Sequence, residues 1–166
     1  MTGVNTNLRI AKVMATLAIL LPVLTSWADA SATVPDKSLI GRWHGQNHFF
    51  GMSRKEIVEK KVAIQYVETK LEISANGKVT GRVGGAELSG CVVEANRGWF
   101  GRLLHIKTDF IIRGKIVGAV APGSEAGIHS ISAPFNLNGP HVVGSMFVIH
   151  GAFTYPYPFL SLRLSR

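Results

Sequence analysis

From residue 39 onward the chain alternates apolar and polar positions in short runs, and almost every run is broken by glycine or asparagine. A period of two is the mark of a strand with one face buried and one in water. The runs cover residues 39–50, 62–74, 78–83, 86–94, 100–107, 109–120, 128–137, 141–153 and 159–164. Their even spacing, with short polar breaks, predicts eight or nine antiparallel strands. Two of the breaks have specific chemistry. Asn76-Gly77 predicts a tight hairpin turn with positive φ at both central residues, and Gly84-Gly85 separates the next two runs. Within 62–74 the apolar parity switches, from Val62, Ile64 and Tyr66 to Leu71 and Ile73, which predicts a bulge or bend in that strand. Only residues 53–60 invite a helical turn.

Sequential strands joined by short turns favour a meander. The expected fold is all-β, an antiparallel up-and-down β-barrel of about eight strands. The eighteen glycines fit that expectation, because a small sheet needs kinks to curl shut.

The amino-terminal segment follows a different rule. Arg9 and Lys12 precede an uncharged run over residues 13–27, and Ala28-Asp29-Ala30 follows. This is the arrangement of a signal peptide cleaved after Ala30. The apolar run is shorter than the roughly twenty residues of a membrane-spanning helix. The expected organisation is a signal peptide at 1–30, a loose leader at 31–38 and one barrel domain at 39–166, in a periplasmic or secreted protein.

Charge narrows the partners. The chain has 18 Lys+Arg against 10 Asp+Glu; without Arg9, Lys12 and Asp29, sixteen basic residues face nine acidic ones. That excess suits an anionic surface or an acidic protein; nucleic acid is not an expected partner of an exported chain. Cys91 is the one cysteine, so no internal disulfide can form, and its apolar surroundings fit a buried thiol.

Gly41-Arg42-Trp43 opens the first strand. It resembles the Gly-x-Trp signature of lipocalins and of the avidin-like members of the calycin group. That resemblance implies a barrel plugged at one end by Trp43, with a basic residue of the last strand across the indole. Arg163 is the expected counterpart, with Arg166 second. The tryptophan set that lines an avidin biotin site is missing.

Other chemistry is sparse. His44 and His48 share a strand face but stand about 13 Å apart along it, too far for one metal ion, and the remaining histidines are scattered. Neither a Gly-x-Ser-x-Gly elbow nor a phosphate-binding glycine loop occurs, so no catalysis, metal or cofactor is expected. The aromatics offer more. Phe49, Tyr66, Phe110 and Phe147 are expected to line an apolar cavity, and Tyr155 and Tyr157, in the proline-stiffened run 155–159, to flank its mouth. The first expectation is therefore a barrel that holds a small apolar or amphipathic ligand. A protein-interaction module with a solid core, such as an inhibitor or envelope-assembly factor, is the second. A small outer-membrane barrel is the third.

Overall fold

The computed structural model describes residues 36–52, 56, 64–96, 108–150, 153–154 and 158–166. The expected signal peptide, the run 100–107, Tyr155 and Tyr157 lie outside them, as does the turn at 53–60 apart from Glu56, which is helical. The described strands are β1 (Gly41–Phe49), β2 (Gln65–Ile73), β3 (Lys78–Val83), β4 (Ala86–Ala95), β5 (Phe110–Gly118), β6 (Gly127–Asn138), β7 (His141–His150), β8 (Phe153–Thr154) and β9 (Leu160–Ser165). Each strand from β1 to β7 pairs antiparallel with the next, β7 pairs with β9, and β9 pairs with β1. Eight strands thus form a closed up-and-down barrel, and the two-residue β8 pairs with the far end of β7. The ring closes without the expected strand at 100–107, because β4 pairs directly with β5 through Ala95 and Phe110.

Alternation puts the core inside this ring. In β2, Val67, Thr69, Leu71 and Ile73 are buried, while Glu68, Lys70 and Glu72 are exposed. Val67, Leu71 and Ile73 form one apolar cluster with Trp43, Phe49, Val83, Ile112, Ile116, Ile131, Phe135, Met146, Leu160 and Leu162. Each such side chain contributes about 1.5–3 kcal/mol of burial.

Two local expectations are corrected. β2 carries no bulge: its pairing with β1 runs unbroken from Gly41–Ile73 to Phe49–Gln65. Ile64 and Tyr66 sit on the outward parity and are simply exposed apolar residues, at 69% and 68% of their surface. The bulge lies in β4 instead, where the register to both neighbours slips between Glu87 and Val92, around Gly90. The β2–β3 turn is also longer than two residues. Gly77 N–H donates to Ser74 O and Ser74 N–H to Lys78 O. This closes a three-residue loop, Ala75-Asn76-Gly77, in which Gly77 takes the left-handed conformation at φ 80°.

Candidate ligand-binding site in the barrel interior

Both ends of the barrel are covered by residues from the flanking segments. At the end where β1 begins, a single 3-10 turn (Lys37–Leu39) is capped by Asp36, whose carboxylate accepts the Ser38 N–H at 2.9 Å. That bond holds the Asp36 carboxyl below its ordinary range. The turn buries Leu39, and the Trp43 indole N–H donates to Leu39 O at 2.8 Å. Trp43 is thereby enclosed, 1% exposed. The cation over its ring is Arg166, with the guanidinium carbon 5.0 Å from the ring centre. Arg163, expected in that role, is exposed on the outer wall. The reason is parity: Leu160, Leu162 and Leu164 face inward, so 166 continues their face and 163 does not. Arg166 also donates to the carbonyls of Ser38 and Ile40.

At the opposite end, Met52, Val120, Ala121 and Phe159 are buried. Glu56 joins two of these segments. One carboxylate oxygen accepts the Met52 N–H and the other accepts the Glu125 N–H at 2.7 Å. Glu56 is itself buried, and two backbone donors satisfy charge that would otherwise be costly there.

The expected cavity-lining aromatics divide by face. Phe49 is inward and fully buried. Phe110 is inward and half-buried at the Trp43 end, stacked on Phe135 with ring centres 5.6 Å apart. Tyr66 is on the outer wall, with the His48 ring 4.3 Å away. Phe147 is half-buried and takes the parity opposite to the buried Met146 and Val148, so it also faces out.

The polar residues of the interior drew no notice in the sequence. Asn47 and Thr69 are 1% and 0% exposed on the inner faces of β1 and β2. Asn47 Oδ1 accepts the Arg163 N–H at 2.6 Å, and its Nδ2 reaches only Gly45 O at 3.5 Å. Among the described residues, Thr69 Oγ1 and His129 Nε2 are enclosed without a hydrogen-bond partner. His129 lies on the inward parity of β6 with Ile131 and Ala133. The readable signal was phase: once Leu71 and Ile73 fix the inner face of β2, Thr69 falls on it, and Trp43 does the same for Asn47.

Cys91 is buried, its thiol donating towards Lys115 O at 3.4 Å, and burial pushes its pKa up. A buried, protonated thiol is a poor nucleophile. The outer wall of β1–β3 holds a cleft of about 380 Å³ edged by Arg42, His44, Lys70, Glu72 and Thr80. Its charges are largely paired: Lys70 contacts Glu68 at 2.8 Å and Arg42 contacts Glu72 at 3.7 Å. The Lys70 bond is the main reason the Glu68 carboxyl lies below its ordinary range.

No group of three or more metal-ligating side chains occurs among the described residues, and no helix among them is long and apolar enough to cross a membrane. No protein-family model, curated protein or solved structure matches this chain.

Proposed function

We propose that this protein is exported and holds a small apolar or amphipathic molecule inside its barrel, without catalysis. The observation that carries the reading is the enclosed Thr69 hydroxyl. A buried hydroxyl without a partner costs stability, and because the inner-face side chains around it are almost completely buried, a ligand would reach it only by widening the ring. The frame around it has the composition of a ligand site, apolar walls with a few polar groups. The Trp43–Arg166 closure is compatible with the calycin resemblance of the first strand.

The decisive test is mass spectrometry of what is extracted from protein purified natively from its own source. A single small organic molecule in stoichiometric amount is the expected result. Its absence, together with no thermal stabilisation by a mixed lipid extract, overturns the reading. Export is checked by Edman sequencing, with Ser31 as the expected first residue.

One observation favours the interaction module as a second reading. Ile64 and Tyr66 stand exposed on the outer wall beside His48, and aromatic residues are enriched at interfaces. A stoichiometric polypeptide in the native preparation, with no small molecule, would decide for it. The outer-membrane reading loses support on the same wall. Arg42, Lys70, Arg82, Glu87, Arg113, Lys115 and Arg163 are exposed there. Lys or Arg on a lipid-facing strand costs about 2–4 kcal/mol at the bilayer midplane.

A further inference from the structure

We propose that the outer face of β1–β3 binds an uncharged oligosaccharide, with one sugar unit seated in the cleft between Arg42 and Glu72 and another stacked on Tyr66. The site is outside the barrel and does not depend on what the interior holds. The register builds it as a continuous track. Arg42 lies opposite Glu72 and His44 opposite Lys70, and these two pairs frame the cleft of about 380 Å³. Gln46 lies opposite Glu68, and His48 opposite Tyr66. All of these side chains are exposed. Lys70 and Tyr66 are four positions apart on one face, about 13 Å at roughly 3.3 Å per residue, a span that a short sugar chain covers.

The position of the cleft has a local cause. Thr80 and Gly81 line its β3 side. Beside them the β3–β4 register slips, and a bulge bends its sheet. Gly81 has φ 138°, and a Cβ there would lie 2.0 Å from the Lys70 carbonyl oxygen, so no side chain is tolerated at that point of the floor.

The edges of the cleft select the ligand class. Its apolar lining residues, Trp43 and Leu71, are buried on the inward parity, so a lipid meets no apolar side chain here. Arg42 and Lys70 only donate, Glu72 accepts, and His44 and Thr80 can do either. A sugar hydroxyl also donates and accepts, so this mixed set suits it. Charge is balanced along the track. Arg42 contacts Glu72, Lys70 contacts Glu68, and Arg82 lies opposite Glu87. A simple anion or cation therefore meets its own sign as often as the opposite one. The Arg42–Glu72 pair is long, at 3.7 Å, and its side chains are 87% and 58% exposed. Such a pair contributes little to stability, and its members turn to a ligand at low cost.

Tyr66 supplies the second contact. It is 68% exposed, and the His48 ring stands 4.3 Å away, tilted by 53°. Tyrosine offers a large rigid face at low entropic cost, and the apolar C–H face of a pyranose stacks on such a ring. A protein partner would bury Ile64 together with Tyr66, whereas the track from Tyr66 to the cleft leaves Ile64 out.

The test presents the purified natural protein to an array of uncharged and anionic oligosaccharides, with calorimetry on each hit at low and high salt. At least one uncharged oligosaccharide should bind, with an affinity that salt leaves unchanged, because screening acts on charges. Tyr66→Ala and Arg42→Ala should each weaken that binding by about tenfold or more, the loss expected of an anchoring contact. Ile64→Ser should leave it intact. All three positions are exposed, so the variants should melt as the wild type does. Capture of anionic glycans alone, with salt-sensitive affinity, overturns the proposal. A hit that either Tyr66→Ala or Arg42→Ala leaves at full strength does the same. So does an array without hits, and retention of a polypeptide that Ile64→Ser abolishes then decides for a protein interface on this face.

Discussion

Arg163 and Arg166 are three positions apart and do opposite things. Arg166 lies over Trp43 and donates to two carbonyls, whereas Arg163 contributes its backbone N–H to Asn47 and leaves its side chain in water. Arg166→Ala should lower unfolding free energy by about 1–2 kcal/mol, from the cation–π contact and lost hydrogen bonds. Arg163→Ala should stay within about 0.5 kcal/mol. Urea titration of both variants checks the contrast. A sequence tells that a basic residue near the end of a last strand could reach the indole; choosing between them needs the phase of β9, which the three leucines supply only once the inner face is known. Cys91 makes a second residue-level prediction. Its pKa is raised in the folded protein, so on alkalinisation the unfolded chain loses its thiol proton first. The stabilisation is complete below the unfolded value of about 8.5 and declines as pH climbs from there towards the folded value. Urea stability measured across that window should therefore fall more steeply in the wild type than in Cys91→Ala. Iodoacetamide should leave the native thiol unmodified while labelling the urea-unfolded one.

At the level of strands, the seam between β1 and β9 differs from the other joints. Its paired positions are His44–Ser165 and Phe49–Leu160, and side chains stitch the span between. Asn47 takes the Arg163 N–H, and the Ser161 hydroxyl takes the His48 N–H at 3.0 Å. Asn47→Leu leaves a buried N–H without an acceptor and should cost about 1–3 kcal/mol, with faster amide exchange at Arg163 by NMR. Gly45→Ala should also destabilise, by about 1–3 kcal/mol of overpacking, since its new methyl meets the Arg163 carbonyl oxygen. The strands themselves were legible because alternation and glycine breaks are local. Val67, Leu71 and Ile73 fix the face of β2 without any tertiary information. Ile64 and Tyr66 misled the same reasoning, because an exposed apolar residue looks identical in sequence to a buried one, and the false parity switch followed. The β4 bulge escaped notice since Gly90 alone does not distinguish a kink from a close approach. Asn47 and Thr69 were passed over for a related reason: polar residues in a strand are expected outside, although the phase set by Trp43 and by Leu71 and Ile73 places both on the inner face.

For the whole molecule, closure depends on contacts between segments distant in sequence. Glu56 joins the chain after β1 to the loop between β5 and β6 through the N–H groups of Met52 and Glu125. Glu56→Ala should destabilise the protein by about 1–3 kcal/mol, having orphaned two donors around a buried site. Hydrogen exchange should show the amide of Glu125 losing protection before those of β5 and β6. The seam is more distant still, for Asn47 and Arg163 are separated by 116 residues. The chain must be made through β9 before that strand can dock on β1. Until then the nascent sheet carries two unpaired edges, and such edges recruit other chains. A nonsense mutation just ahead of Leu160 would make that interval permanent, so the shortened product should collect in inclusion bodies, not as a slightly weakened monomer.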